Sequence, residues 1–357
     1  MRRDRLDPDA AIVERGIQVS LLQPSEFQRW DEFVARCPEA TFFHRAGWRN
    51  VIERVFGHRT FFLFATRGAD VVGVLPLAQV RSLLFGHTVS SLPFCVYGGT
   101  AVTEWGAELA LIHAASALAR QRGADHLELR NRVAKNPDWP RQDLYVTFRK
   151  EILPDLDANM LAIPRKQRAM VRKGIKAGLR SEIDNSIERF FALYADNVHR
   201  HGTPALPKEY FRALLREFGE DCEILTVLTA GGEPISSVLS FNFRDEVLPY
   251  YAGDRPDARQ FGANDFKYWE VMRRAWERGC RIFDYGRSKR ETGSYDFKKN
   301  WGFEPTPLQY EYDLIGADTI PQNNPANPKY RALIGCWRLL PLPLANALGP
   351  LIVRNLG

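Results

Sequence analysis

The chain has 357 residues, of which 45% are hydrophobic and 12% aromatic. A chain of this length and composition can build one large core or two ordinary ones, which excludes global disorder. The net charge of +6 suits a phosphate-bearing partner, although many ordinary proteins share so modest an excess.

Cysteine usage and the N-terminus bear on location. The five cysteines are odd in number, far apart and without a CxxC pair, so neither a disulfide framework nor a zinc site is indicated. A reducing compartment is therefore expected. Residues 1–16 are polar and charged, which predicts a flexible leader and not a signal peptide. Since no run approaches the roughly 20 apolar residues of a membrane-spanning helix, we predict a cytoplasmic protein.

Residues 17–150 are predicted to form a first α/β domain. A helix is expected from Pro24 to Ala35, and the run FFHRAGWRNVIERVFG has a second helical pattern. Two apolar runs around the turn Arg67–Asp70 indicate a β-hairpin. An Ala- and Leu-rich helix over residues 106–122 then leads into the strand HLELR.

An internal repeat links the two halves of the chain. ARQRGADHLEL in the first half is similar to AWERGCRIFDY in the second, and the hairpin ATRGADVVGVLPL is similar to TAGGEPISSVLSF. Two matches in the same order favour duplication of one α/β unit, which places a second domain at residues 183–316. The alternative is convergence, because glycine suits the junction between a helix and a strand.

Residues 151–182 form a basic segment between the two domains. Pro164 to Arg180 contains seven basic residues and no acid. Because residues three and four apart share one face of a helix, the cations form a row that repels itself. Such a row suits the phosphates of a transfer RNA, a pyrophosphate or anionic headgroups, and the alternative is an ordinary solvated helix. The basic patch consists of Arg165, Lys166, Arg168, Arg172, Lys173 and Lys176.

The tail, residues 317–357, changes character. A Pro-Asn linker is followed by LLPLPLANALGPLIV, which lies between Arg338 and Arg354. Its prolines exclude a single long helix. We expect the tail either to dock on the core or to contact the inner membrane peripherally.

The stretch Tyr250–Pro305 concentrates functional residue types in its connections. A central strand, LPYYAG, opens into the loop DRPDARQFGAN, which leads into a helix. A loop with Gly and Arg before a helix N-terminus is suited to bind phosphate, which points to Arg259, Gly262 and Asn264. The alternatives are a plain turn at the glycine and an N-cap at the asparagine. Three residues of a following basic loop also suit phosphate or carboxylate, namely Arg287, Ser288 and Lys289.

Several of these motifs resemble known families. Arg259-x-x-Gly262-x-Asn264 resembles the pyrophosphate loop of the GNAT acyltransferases, from which Asn264 departs because Gly or Ala is usual there. FDYGRS and FKKNWGFEP are similar to the strand end and helix end of the Fem aminoacyl transferases. Together with FFHRAGW and LPFCVYGG, they most resemble FemAB-like proteins associated with the exosortase (PEP-CTERM) and exopolysaccharide systems of Gram-negative bacteria.

The resemblance covers roughly residues 17–357. It implies an α/β (α+β) fold of two tandem GNAT-like domains, each a mixed, mostly antiparallel sheet flanked by helices, with catalysis in the second. It also implies transfer of an aminoacyl or acyl group to an amine-bearing peptidoglycan, exopolysaccharide or other envelope precursor. The co-substrate would be aminoacyl-tRNA or acyl-CoA, with no permanently bound cofactor.

Two alternatives stay open beside this function. One is an acyl-CoA-dependent N-acetyltransferase acting on a small molecule or a sugar amine. The other is a non-catalytic GNAT scaffold in glycan assembly. The sequence has no heptad run for the coiled-coil arm of some Fem enzymes, and no HExxH, GxSxG or P-loop motif, so metal, serine-hydrolase and NTPase chemistry lack support.

Acyl transfer to an amine needs a deprotonated nucleophile and a stabilised oxyanion. The resemblance assigns the first catalytic role to Lys298, whose cation would neutralise the oxyanion or the leaving group. Tyr295, three residues earlier on the same helix face, could donate a proton. Asp284 could orient the amine or take its proton, and the alternative is an ion pair with Arg287 or Lys289.

Four further residues are assigned to a substrate cleft, namely Tyr250, Tyr251, His44 and Tyr97. Neighbouring strand residues face opposite sides, so at most one of the paired tyrosines should line a cleft. His44 could act as a base, although a lone histidine is more often structural. Phe297 and Trp301 are expected to anchor the helix that carries Lys298.

Overall fold

The computed structural model describes residues 12–14, 16–82, 86–184, 186–320 and 328–355. Most of the expected leader, residues 1–11 and 15, lies outside the described residues, as does the segment 321–327 of the expected linker. The chain divides into two compact units. The first unit contains residues 1–143 and 308–321, and the second contains residues 144–307 and 322–354.

Within the described residues up to 143, the chain forms eight strands and three α-helices. The strands are β1 (Ile12–Glu14), β2 (Ile17–Leu21), β3 (Arg59–Arg67), β4 (Asp70–Ser82), β5 (Gly86–Ser90), β6 (Ala101–Val102), β7 (His126–Asn131) and β8 (Arg141–Gln142). The helices are α1 (Phe27–Arg36), α2 (Gly47–Phe56) and α3 (Trp105–Gln121). The predicted hairpin at the Arg67–Asp70 turn, the helix over 106–122 and the strand HLELR are confirmed.

From residue 144 onward, the part of the chain that the structure describes forms eight strands and nine α-helices. The strands are β9 (Tyr145–Glu151), β10 (Arg180–Ile183), β11 (Cys222–Leu228), β12 (Pro234–Phe243), β13 (Glu246–Asp254), β14 (Ile282–Lys289), β15 (Pro305–Pro307) and β16 (Gln309–Leu314). The helices are α4 (Leu156–Ala162), α5 (Arg165–Lys176), α6 (Ile187–Arg200), α7 (Lys208–Phe218), α8 (Ala258–Phe261), α9 (Ala263–Glu277), α10 (Gly293–Asn300), α11 (Pro328–Leu339) and α12 (Leu342–Val353).

The first unit is built on a sheet in the order β1-β2-β3-β4-β5-β7-β16-β8, with β6 paired to β4. Every described pairing in it is antiparallel except β5 with β7. Strand alternation explains how both faces are covered. On β3, Phe61 and Leu63 join the core beneath α3, whereas Phe62 and Phe64 pack on Trp30 of α1.

The second unit has a sheet in the order β10-β11-β12-β13-β14-β9-β15. Here the parallel pair is β13 with β14. One face carries α9, whose Trp269 and Met272 are buried in the same core cluster as Val238 of β12. The other face carries α7, where Phe218 contacts Phe241 of β12. Both units therefore have the mixed, mostly antiparallel sheet with flanking helices that was predicted.

The topology repeats between the units as the sequence repeat indicates. In each, an antiparallel hairpin (β3–β4 or β11–β12) precedes a strand that pairs in parallel with the strand after a long helix (α3–β7 or α9–β14). The closing strands are placed differently from the expected boundaries. Tyr145–Glu151, expected largely within the first domain, pairs in the second sheet, and Gln309–Leu314, expected within the second domain, pairs in the first.

Helix α9 is buried on two sides, which the sequence pattern missed. Glu270 is buried and bonded to Arg273 and to the hydroxyl of Ser181 on β10 at 2.6 Å. Lys267 is fully buried and pairs with Asp254 of β13 at 2.9 Å. Helix α5 also packs on α9, where Gly174 lies against Phe266. Among the described residues, no helix is long and apolar enough to cross a bilayer.

Candidate functional site

The second sheet opens between its two parallel strands. β13 and β14 are paired at Glu246–Ile282 and Val247–Phe283. Beyond these pairs β13 stays bonded to β12 on its other side, and β14 stays bonded to β9. A crevice at the carboxyl ends of diverging parallel strands is a common place for ligands in α/β folds. The candidate site is assembled around this opening.

Lys298 lies on α10 with its ammonium group directed at the backbone of β14. Its Nζ donates to the carbonyl oxygens of Tyr285 at 2.8 Å, Gly286 at 3.2 Å and Arg287 at 3.2 Å. Here β14 shifts its register against β9. A basic loop was predicted here, whereas β14 continues to Lys289 and contains the register shift at its centre.

Asp284 holds the other side of the same irregularity. It is fully buried, accepts from the Gly286 N–H at 2.7 Å, and pairs with Arg149 of β9 at 3.0 Å. Arg149 is thus an ion partner of Asp284 that was not among the expected partners Arg287 and Lys289. The buried Asp284 carboxylate therefore fixes the conformation of β14 through Gly286 and its position beside β9 through Arg149. Its role toward the acceptor amine stays a prediction.

The environment of Lys298 changes its acidity. Burial lowers the pKa of Lys298 to about 7, a net result that includes an opposing effect of the Asp284 carboxylate and a smaller lowering by the nearby Arg287. A lysine with a pKa near 7 exchanges its proton readily at neutral pH. Its protonated form can stabilise a negative charge in a poorly solvated site.

This pKa predicts a pH-dependent stability difference between the wild type and Lys298→Met. Below pH 7 the lysine is protonated in both folded and unfolded chains, so the difference is constant. Between pH 7 and roughly 10.4 only the unfolded chain holds the proton, so the wild type gains up to about 1.4 kcal/mol per pH unit relative to the variant. Urea unfolding at pH 6, 7, 8 and 9 measures it, and a flat difference would contradict the lowered pKa.

The remaining residues of α10 divide between core and site. Trp301 is fully buried and donates to Asp265 at 2.9 Å, and Phe297 packs 6.1 Å from it, so the predicted anchoring is confirmed. Tyr295, three residues before Lys298, packs edge-on against Phe148 at 5.3 Å. Tyr295 is half-buried beside this residue of β9. Its role as a proton donor remains a prediction.

The cations of β14 lie on the side of the strand away from Ser288. Arg287 stacks over Tyr145 of β9 at 4.5 Å, and Lys289 approaches the same ring at 5.8 Å. Ser288 is buried and accepts from the Ser294 hydroxyl at 3.3 Å. Two of the three predicted anion ligands therefore share a face, and the third serves the packing of α10.

The N-terminus of α9 follows β13 as the resemblance to a pyrophosphate loop implies. Gly262 ends α8 and caps α9 in a left-handed conformation with φ of 70°. Arg259 is exposed, and Asn264 occupies the first turn of α9 instead of its N-cap. A Cβ at Gly262 would lie 2.5 Å from the carbonyl oxygen of Met170 on α5. The glycine therefore allows α5 to approach the start of α9.

Replacing Gly262 by alanine is expected to destabilise the fold by about 1–3 kcal/mol, because it adds a strained φ to a backbone clash. Gly293→Ala is the matched control, since a Cβ there meets no atom within 4 Å and its φ is unstrained. Chemical denaturation should separate the two variants. Equal effects would mean that neither the left-handed φ nor the approach of α5 restricts the residue at position 262.

The basic helix α5 forms an exposed cationic surface next to α9. Five of the six predicted patch residues are exposed and Arg168 is half-buried, and among the described residues none of the six forms an ion pair. A shallow groove runs along this face, lined by Arg165, Arg168, Ala169, Arg172, Lys173 and Lys176. An uncompensated row of this kind attracts phosphate groups.

The paired tyrosines of β13 are on one side of the sheet. Their rings contact each other at 4.8 Å, Tyr250 contacts Phe241 at 5.3 Å, and the Tyr251 hydroxyl lies 3.1 Å from that of Tyr210. The expectation of opposite faces is wrong because a register shift in the pairing with β12 inserts one extra residue here.

His44 and Tyr97 belong to the first unit, where they line a polar pocket with Asn131 and Arg132. His44 is buried, and its ring nitrogens bond to the Gly99 carbonyl at 2.8 Å and to the Thr41 N–H at 3.0 Å.

Burial lowers the pKa of His44 to about 4, so the ring is neutral near pH 7. Tyr97 is also buried, and the Arg132 guanidinium lies 5.6 Å from the centre of its ring.

Sequence reasoning missed Arg149 and Tyr145, which complete the site from β9. Both lie in the strand YVTFRKE. They are four residues apart, so the alternation of side chains along a strand predicts that they share one face. Their partnership with β14 was not readable, because more than 130 residues separate Arg149 from Asp284.

Comparisons with known proteins agree with this geometry. Residues 165–299, from the start of α5 into α10, match the family model described as an acetyltransferase (GNAT) domain. No curated protein matches the chain significantly.

Three solved structures illustrate the likeness of fold. FemX is 15% identical with a TM-score of 0.65, covering 88% of this chain and 99% of its own. The C-terminal domain of a putative lysylphosphatidylglycerol synthetase from Agrobacterium fabrum is 14% identical with a TM-score of 0.57, covering 82% and 93%. A tandem GNAT protein from the clavulanic acid biosynthesis pathway is 15% identical with a TM-score of 0.50, covering 83% and 97%. Residues 165–299 are thus similar to the GNAT acetyltransferase domain, and the chain has the fold of tandem GNAT-like proteins.

Proposed function

We propose that this protein is an N-acyltransferase that moves an aminoacyl group from a phosphate-bearing donor to an amine of a cell-envelope precursor. The GNAT domain match and the opening between β13 and β14 support acyl transfer. The fold shared with FemX and with a putative lysylphosphatidylglycerol synthetase supports an aminoacyl group over a plain acetyl group.

In the proposed reaction the acceptor amine attacks the acyl carbonyl carbon of the donor. A C–N bond forms, and the carbonyl oxygen becomes an oxyanion that the Lys298 ammonium stabilises. The C–O bond of an ester donor then breaks, and the amine proton passes to the departing oxygen. Tyr295, three residues before Lys298 on α10, is the proposed relay for this proton: its phenol gives its own proton to that oxygen and takes up the one that the amine loses.

The observation that carries the choice of donor is the basic surface of α5. It is packed against α9, the helix that follows β13, and its cations form no ion pair within the described chain. A row of cations along a whole helix suits the repeated phosphates of a nucleic-acid backbone better than one compact pyrophosphate. We therefore favour aminoacyl-tRNA as the donor.

Thermal stabilisation by charged tRNA and by acetyl-CoA tests the choice. We expect charged tRNA to raise Tm, and the effect to weaken steeply with salt. Arg168→Gln/Arg172→Gln should lower tRNA affinity about tenfold or more, while Arg36→Gln/Arg54→Gln, which removes two charges from the first unit, should leave it unchanged. Equal loss in both variants would point to non-specific binding.

An acyl-CoA-dependent acetyltransferase is the second candidate. It is favoured by Gly262 at the start of α9 and by the exposed Arg259, which together offer backbone amides and a cation to a pyrophosphate. Stabilisation by acetyl-CoA alone would establish this candidate and refute the tRNA donor. The acceptor would then be a small molecule or a sugar amine.

The acceptor is proposed from chemistry and resemblance together. We infer an amine of a peptidoglycan or exopolysaccharide precursor, in a system of the exosortase (PEP-CTERM) type. Mass spectrometry of these precursors from a deletion strain should show loss of an aminoacyl substituent. An unchanged precursor pool, together with a phenotype that Lys298→Ala complements fully, would instead support a non-catalytic scaffold.

A further inference from the structure

The C-terminal helix α12 has two apolar faces, of which the protein covers one. Ala345, Gly349 and Val353 recur at four-residue spacing and are buried. α12 packs on α6, and a Cβ at Gly349 would lie 3.0 Å from the carbonyl oxygen of Ala205. This buried face explains why α12 docks on α6. It does not explain why the neighbouring face of α12 is also apolar.

The second face of α12 is exposed and made of large aliphatic side chains. Leu344, Leu348 and Leu351 lie on one side of the helix, and Leu351 is 62% exposed. Leu339, at the end of α11, is 85% exposed. Of the ten large hydrophobic side chains that are exposed in the described chain, five fall within residues 339–352. Single exposed leucines are ordinary, but such a concentration marks an interaction surface.

The charge around this face selects its partner. Arg338, in the last turn of α11, and Arg354, at the end of α12, lie on either side of α12, and residues 319–357 contain four basic residues and no acidic one. Leucines that project from a surface helix between cationic ends match an anionic lipid surface, which attracts the arginines and takes up the apolar side chains. A neutral bilayer could take up the leucines, but it would offer no net negative charge to attract the arginines.

We propose that α12 lies flat on an anionic membrane surface with Leu344, Leu348 and Leu351 inserted at the level of the acyl chains. The buried face keeps the helix attached to α6, so the second unit is held at the membrane without a spanning helix. This surface is independent of the acyl-transfer site, and the inference holds for any donor.

Co-sedimentation of the full chain with vesicles tests the proposal. The wild type should bind vesicles of phosphatidylglycerol and phosphatidylcholine, and bind pure phosphatidylcholine at least about tenfold more weakly, since each flanking cation adds attraction. Leu344→Asn/Leu348→Asn/Leu351→Asn should lower binding at least about 30-fold, as expected for partial burial of three leucines. Trp105→Asn/Leu161→Asn, which removes two exposed apolar side chains elsewhere, should bind as the wild type does.

A second measurement guards against misfolding of the triple variant. In a Cys336→Ser background, an environment-sensitive dye on Leu348→Cys should shift its emission to the blue when anionic vesicles are added. Equal binding by wild type and triple variant, or loss of binding only in Arg168→Gln/Arg172→Gln, would overturn the proposal. So would a stable dimer in solution that the triple variant abolishes, because the face would then bind a second copy of the chain.

Discussion

Replacing Lys298 by methionine is expected to lower kcat/KM for acyl transfer by at least about 100-fold. Methionine keeps most of the side-chain length and removes the ammonium, and loss of one group that stabilises an oxyanion typically has an effect of this size. The structure adds a reason, since Lys298 is drawn into a poorly solvated position by three carbonyl oxygens of β14. Steady-state kinetics with the donor identified by thermal stabilisation measures the effect.

Two comparisons separate a chemical role of Lys298 from a structural one. Lys299→Met alters an exposed neighbour on the same helix and should leave kcat/KM nearly unchanged. Lys298→Arg keeps a charge that does not titrate, so the ratio of wild-type to Lys298→Arg activity should fall as pH rises through about 7, where the lysine loses its proton. A constant ratio, or full activity in Lys298→Met, would exclude the cation from the reaction.

Hydrophobic periodicity and turn chemistry were enough to predict most of the fold. The hairpin at Arg67–Asp70, the Ala-rich helix α3 and the helix that carries Lys298 were predicted because each is a local pattern. The duplication was visible for the same reason, since a helix–glycine–strand junction is contiguous in sequence. Local signals determine local structure, and the two copies repeat them in the same order.

The features that were missed depend on long-range pairing. A single extra residue in β13 brings Tyr250 and Tyr251 to one side of the sheet, and strand alternation cannot reveal it. Glu270 and Lys267 are buried against Ser181 of β10 and Asp254 of β13, although the helical pattern of α9 alone predicts an outer polar face. The partner of Asp284 comes from β9, a strand that the sequence assigned mainly to the other domain. Each error therefore arises where tertiary contacts override a local rule.

Arg149→Met is expected to destabilise the second unit by about 3–5 kcal/mol, because it leaves a buried carboxylate without its counter-charge. Arg149 pairs with Asp284, which is fully buried, and with Glu246, which is only partly exposed. These three side chains join β9, β13 and β14 where the parallel strands begin to diverge. Urea unfolding should show the loss, and a fall in Tm on the order of 10 °C should accompany it.

The matched control and a rescue variant decide the interpretation. Arg212→Met removes an exposed ion pair with Glu188 and should change stability by less than about 1 kcal/mol. Adding Asp284→Asn to Arg149→Met should recover part of the loss, because the amide oxygen still accepts from the Gly286 N–H without carrying a charge. If Arg149→Met is nearly neutral, water must reach the Asp284 carboxylate in the folded protein. That result would support the predicted role of Asp284 in orienting or deprotonating the acceptor amine, since a carboxylate that water reaches is one that a substrate amine can reach.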